Sequence, residues 1–113
     1  MNLIRSVAER LSRGRVLKRR LPPDLGGGRL YVTPDAALRF WRKDLGMVDP
    51  ALLNAARELV KPGDVVWDIG ANVGLFCFAA AARAGSRGEI LAVEPDLWLV
   101  GLLRRCVEEQ PDG

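Results

Sequence analysis

The chain has 113 residues, 49% hydrophobic and 27% charged, the composition of one ordinary globular domain with a modest core. It holds no histidine, which excludes imidazole acid–base chemistry within it, and its scattered acids and two cysteines show no metal-ligand spacing. The formal net charge of +3 hides a division: residues 1–20 carry seven Lys/Arg against one acid, Glu9, whereas residues 21–113 carry ten against thirteen acids.

Residues 2–20 place Leu3, Ile4, Val7 and Leu11 on one helical face, with arginines around them. A basic amphipathic segment of this kind can dock on its own domain, lie on an anionic membrane surface, bind nucleic acid or act as a transit peptide. The stripe spans only about three turns and lacks an aromatic anchor, which favours docking on the domain. Weak membrane-surface contact is the second expectation, and no nucleic-acid partner is expected. "LPPDLGGGR", residues 21–29, reads as a flexible Pro/Gly connector; no Lys-Ser/Thr follows the glycines, so a phosphate loop is not indicated. The organisation expected is therefore a leader and linker over 1–28 and a folded domain over 29–113.

"RLYVT" reads as a short strand, and "ALRFWRK" is ambiguous between strand and helix. In "DPALLNAARELVKPGD", Asp49 can cap a helix that starts at Pro50 and is stopped by Pro62-Gly63. "VVWDIG" is a continuous apolar run of the kind found in strands buried on both faces. A small-faced apolar helix follows over 74–84, then a second such strand, "EILAVE", over 89–94. Asp96 can cap a last helix, "LWLVGLLRRCVEE", and "QPDG" closes with a turn signal. Cys77 and Cys106 fall in the apolar helices and read as buried free thiols. With no run of about 18 apolar residues and no secretory leader pattern, a cytoplasmic protein is expected.

The order helix, strand, helix, strand, helix implies an α/β fold: a βαβ unit with a right-handed crossover, the first portion of a Rossmann-like doubly wound parallel sheet. Ligands of such sheets bind at the carboxyl ends of the strands. Asp68, Gly70, Asn72 and Gly74 fall at that end of the first strand, and Glu94 and Pro95 at that end of the second. The loop reads Gly70-Ala71-Asn72-Val73-Gly74, not the dinucleotide fingerprint G-x-G-x-x-G. A carboxylate at Asp68 would repel a diphosphate and suits a ligand with a positive end, which favours S-adenosylmethionine over NAD. Glu94 can accept hydrogen bonds from both ribose hydroxyls, and Pro95 offers an apolar face for adenine. Singly, Asp68 could instead serve the helix N-terminus and Glu94 could be a solvated strand-end acid.

"VVWDIGANVGLF" and "AVEPD", with the upstream "KPGD", resemble the motifs of class I S-adenosylmethionine-dependent methyltransferases, and specifically the FkbM family, over residues 49–105. The resemblance implies O-methylation of a sugar, glycolipid or natural-product hydroxyl, hence a small-molecule or glycan acceptor. It implies that Asp68, Gly70, Asn72 and Gly74 line the methionine end of the cofactor and that Glu94 holds the ribose. It also implies that the third strand is due where the chain stops, so that these residues are the N-terminal part of a longer protein and contain no assignable catalytic residue. Two alternatives stay open: an inactive fragment or non-catalytic remnant, and, less favoured, an NAD(P)-dependent oxidoreductase. An isolated pair of parallel strands is expected to leave sheet edges unpaired and apolar helix faces uncovered.

Overall fold

The computed structural model describes residues 2–110; the closing turn lies almost wholly outside the described residues. Helix α1, Leu3–Ser12, starts where Asn2 accepts the Ile4 N–H on its side-chain oxygen at 2.9 Å. It does not run on to residue 20. The Ser12 hydroxyl turns back onto the Ala8 carbonyl (2.6 Å), and Gly14 takes a left-handed conformation, φ 67°. The chain then forms strand β1, Leu17–Arg20, antiparallel to β2, Arg29–Val32, with Leu17 opposite Val32 and Arg20 opposite Arg29.

The connector expected over 21–29 is built into the core instead. Leu21 and Leu25 are buried, and Pro23–Leu25 form a 3-10 turn. The Leu21 N–H donates to the Gly28 carbonyl, and Asp24 accepts two hydrogen bonds from Arg57, at 2.6 and 3.2 Å. Leu21 and Leu25 share one cluster with Leu53, Val73, Leu99 and Leu103, so one core spans both sides of residue 28. The ambiguous segment 37–43 resolves as a 3-10 turn, Leu38–Trp41, whose Trp41 indole N–H donates to the Ser12 hydroxyl at 2.9 Å.

From residue 49 onward the expected elements are present. Asp49 caps helix α2, Pro50–Leu59, by accepting the Leu52 N–H (3.1 Å). The "KPGD" turn then pins three elements: Asp64 accepts the Lys61 N–H, Gly63 N–H donates to the Ala84 carbonyl, and Glu89 N–H donates to the Asp64 carbonyl. Strand β3, Val65–Ile69, pairs in parallel with β4, Glu89–Val93, in the register Val65↔Glu89 to Ile69↔Val93. Helix α3, Leu75–Ala84, joins them, and helix α4, Leu97–Glu108, follows β4. The buried alanines Ala79, Ala80 and Ala84 let α3 sit close to its neighbours. Both cysteines are free and buried. Cys106 also has a use: its sulfur accepts the Tyr31 N–H at 3.1 Å, tying α4 to β2.

The architecture is thus α/β, with one antiparallel and one parallel strand pair and helices packed over a shared core. Only one face of the parallel pair is covered, with Val66 and Ile90 packing on Val60, Ala80 and Ala84. On the other face Val65, Trp67 and Ile69 are about two-thirds exposed (67–69%), with Leu91 and Val93 beside them. The burial on both faces expected from "VVWDIG" is therefore absent among the described residues, and one apolar face of the strand pair stands open. No helix among the described residues is long and apolar enough to cross a membrane.

Replacing Leu25 by Ala should cost about 2–4 kcal/mol in urea unfolding, because it deletes a fully buried side chain at a site held by the Asp24–Arg57 pair. A cost below about 0.5 kcal/mol would show that residues 21–28 are a loose connector after all.

Candidate functional site

The carboxyl ends of β3 and β4 lie side by side, because the two strands are parallel and in register. The loop after β3 folds over that edge. Gly70 N–H and Ala71 N–H both donate to the Val93 carbonyl at the end of β4 (2.8 and 3.0 Å), which bends the chain sharply at Gly70, φ 80°. A Cβ at Gly70 would meet no atom within 4 Å, so the backbone there faces open space. Among the described residues Asn72 is the one non-glycine residue with positive φ, 56°, a conformation that Asn tolerates better than most side chains.

Glu94 holds this arrangement. One carboxylate oxygen accepts the Asn72 N–H and the other accepts the Asp96 N–H, each at 2.9 Å. Asp96 in turn caps α4 by accepting the Trp98 and Leu99 N–H groups, at 2.9 and 3.4 Å. The half-buried Glu94 therefore clamps two loops together, neither a free strand-end acid nor a group held in reserve. A carboxylate has about four lone-pair sites, so two remain for further donors.

Asp68 lies one residue before the end of β3, half-buried, with the Cys77 N–H in the first turn of α3 near enough to favour its charged form. Its Oδ2 is shielded from solvent and has no hydrogen-bond partner, and the same holds for Asn72 Oδ1. Each is a buried acceptor without a donor, a condition native structures rarely leave without a partner. Burial pushes the Asp68 carboxyl above its ordinary value of 3.8, against the Cys77 N–H, which favours the charged form, and the charge of Glu94 adds a smaller push upward. Cys77, beneath the crevice on α3, is pushed up to about 12 by burial and by Asp68, so it is an inert thiol there.

The structure brings Asp68, Gly70, Asn72 and Glu94 to one edge. Pro95 adjoins Glu94 and is exposed. Gly74 looks the other way, into the core: a Cβ there would come within 2.6 Å of the Phe78 ring and 2.8 Å of Leu103 Cδ2. Its left-handed φ of 94° starts α3 where any side chain would strike both neighbours. Two participants escape sequence reasoning: the Val93 carbonyl and the Asp96 N–H. Main-chain groups carry no signature of their own, although the acid pair in "EPD" brackets the second. A cavity of about 630 Å³ lies elsewhere, between α3, β4, α4 and Leu25–Gly28, with an apolar lining that includes Phe78, Ile90 and Leu103. Among the described residues no group of three or more His, Cys, Asp or Glu is placed to hold a metal ion.

No family model, no curated protein and no solved structure matches this chain.

Gly74→Ala should lower stability by about 1–3 kcal/mol by chemical denaturation, since it combines positive φ with a collision in the core, whereas Gly70→Ala should cost only the backbone term, about 1 kcal/mol. Asp68 supplies a pH test. A carboxyl raised on folding binds its proton more tightly in the native state, so the stability it gives is fullest below the unfolded value and falls as pH rises through the folded one. The stability difference between the native protein and Asp68→Asn, followed from pH 3 to pH 7 by urea titration, should move in favour of the variant as pH rises. A difference independent of pH would leave Asp68 unperturbed.

Proposed function

We propose that the crevice at the ends of β3 and β4 binds S-adenosylmethionine and that the chain supplies the cofactor-binding portion of a Rossmann-like methyltransferase. More specifically, the motifs "VVWDIGANVGLF" and "AVEPD" resemble the FkbM family, and the proposed reaction is O-methylation of a sugar, glycolipid or natural-product hydroxyl. The observation that carries the binding proposal is the pair of buried, unpartnered acceptors, Asp68 Oδ2 and Asn72 Oδ1, in an edge that also holds Glu94 and Asp96. Acceptors without donors, beside uncompensated acids, suit a ligand that brings cationic N–H groups and hydroxyls. An ammonium can satisfy Asp68 and Asn72, and ribose hydroxyls can use the lone pairs that Glu94 has left. A diphosphate brings only acceptors and negative charge, and it fits this donor-poor edge badly.

When bound, S-adenosylmethionine supplies a methyl group on a positively charged sulfur, open to in-line attack by an oxygen. The part played by this chain is positioning. Asp68 would bind the cationic end, Glu94 would orient the ribose while keeping its two backbone anchors, and Gly70 leaves the backbone open to close approach. No base is assigned among these residues. The open apolar face of β3 and β4 supports the doubly wound expectation, since such sheets carry helices on both faces. It also makes cofactor binding, rather than turnover, the property to test on this chain.

Calorimetric titration with S-adenosylhomocysteine should show binding, and NAD at the same concentration should show none. Asp68→Asn should weaken binding by tenfold or more, as expected for losing a charged hydrogen-bond partner. Affinity for the native protein should rise with pH through the raised Asp68 value, because the carboxyl must ionise to pair with an ammonium. NAD binding without S-adenosylhomocysteine binding, or an Asp68→Asn protein that binds more tightly, would overturn the proposal.

A further inference from the structure

Helix α1 is docked with the wrong side inward for a helix that serves its own core. The side chain it buries is Ser12, whose hydroxyl joins the Ala8 carbonyl to the Trp41 indole. Its apolar stripe stands in solvent: Leu3 and Ile4 are each 78% exposed, and Leu11 and Val7 are exposed beside them. A solvated helix gains nothing from four exposed aliphatic side chains in a row, and domains normally turn such a stripe inward.

The charge around the stripe is lopsided. Arg5, Arg10, Arg13 and Arg15 are all exposed, and the segment's one acid, Glu9, is already engaged by Arg5 at 2.9 Å. Four residues past α1 the chain enters β1, where Lys18, Arg19, Arg20, Arg29 and Lys43 line a shallow cleft of about 350 Å³. Within that cleft Arg20 stands directly opposite Arg29 on the antiparallel pair. Like charges in that position destabilise a strand pair. Arg20 makes only a long contact to the Gly27 carbonyl, 3.4 Å, and the nearest acid, Glu109, lies 4.0 Å from Arg29 and already accepts the Tyr31 hydroxyl. The fold thus keeps a costly juxtaposition of cations with a single acid, Glu109, beside Arg29, close in the chain to an exposed apolar stripe.

We infer that α1 and the Lys18–Arg20/Arg29/Lys43 cleft form one docking surface for an anionic lipid bilayer, with the stripe entering the headgroup boundary and the cations facing lipid phosphates. An interfacial helix needs an exposed apolar face and flanking cations, and basic clusters beside it add attraction to acidic headgroups. The two features come from different elements and meet the two requirements separately. This inference is independent of the crevice at β3 and β4.

The test is flotation of the full chain with vesicles of pure phosphatidylcholine and with vesicles containing 30% phosphatidylglycerol. At low salt the anionic vesicles should take up at least tenfold more protein, and 0.5 M NaCl should reverse most of the difference. Ile4→Ser combined with Val7→Ser should abolish uptake with little change in the urea midpoint, since both side chains are exposed. Arg20→Glu, which leaves the stripe intact, should lower uptake by about fivefold or more. Equal uptake by neutral vesicles, uptake unaffected by either variant, or no uptake would overturn the inference. So would a concentration-dependent oligomer or RNA binding that the same variants abolish while vesicles bind nothing, since the surface would then serve a second copy or a nucleic acid.

Discussion

The geometry of the crevice rests on the two hydrogen bonds accepted by one carboxylate. Glu94 receives the Asn72 N–H on one oxygen and the Asp96 N–H on the other. The first donor belongs to the loop that leaves β3, the second to the loop that leaves β4. The first loop contains three left-handed residues, Gly70, Asn72 and Gly74, a conformation that needs its surroundings to hold it. An amide at position 94 has only one acceptor oxygen and could not serve both donors in the same way. The clamp also decides the sign of the site. Its partners are main-chain N–H groups, so no lysine or arginine neutralises it, and Asp68 feels it as repulsion.

Beneath the clamp, small residues set how near the elements approach. Gly74 admits the Phe78 ring and Leu103 at distances no side chain could share. Ala79, Ala80 and Ala84 bring α3 against α2 and the covered face of the sheet. At the opposite end of the unit, the Lys61–Asp64 turn joins the ends of α2 and α3 to the start of β4 through backbone bonds. The strands are thereby held at both ends, and the register that places Asp68 opposite Ala92, two residues before Glu94, follows from it.

Residues 49–110 were legible because their signals are local. Asp49 and Asp96 cap where an acid before an apolar run predicts, Pro50 starts a helix, and Pro62-Gly63 follows the end of one. Residues 2–48 were not, because their structure is decided by distant partners. "LKRR" has no strand signature, and it is a strand because "RLYV" lies beside it. The prolines and glycines of 21–28 describe a connector, but the two leucines among them are captured by a core built mainly by residues from 40 onward. At the site, the acids and glycines could be named from their order. What they do could not: Glu94 in sequence suggests a ligand group, and its two backbone anchors depend on a loop conformation that residue types alone do not specify. The open face of β3 and β4 escaped for the converse reason, since an apolar strand states that it needs cover and not whether cover is present.

The two halves of the chain carry opposite electrostatics for different physical reasons. In the crevice the acids are partly shielded and held by dipoles, so their field is little screened and acts on whatever enters. On α1 and the β1–β2 cleft the cations are exposed, so salt screens them and each contributes little singly. A shielded site of few acids selects a ligand by the sign and placement of its charge, one group at a time. A solvated surface of many cations cannot do that; it responds to the summed charge of an extended partner, and its hold on that partner falls with ionic strength. The net charge of +3 describes neither region. The proposed recognition of a small cationic ligand and the inferred attraction to a broad anionic surface are therefore compatible in 113 residues, because the first calls on Asp68, Asn72 and Glu94 at one strand edge and the second on α1 and the β1–β2 cleft.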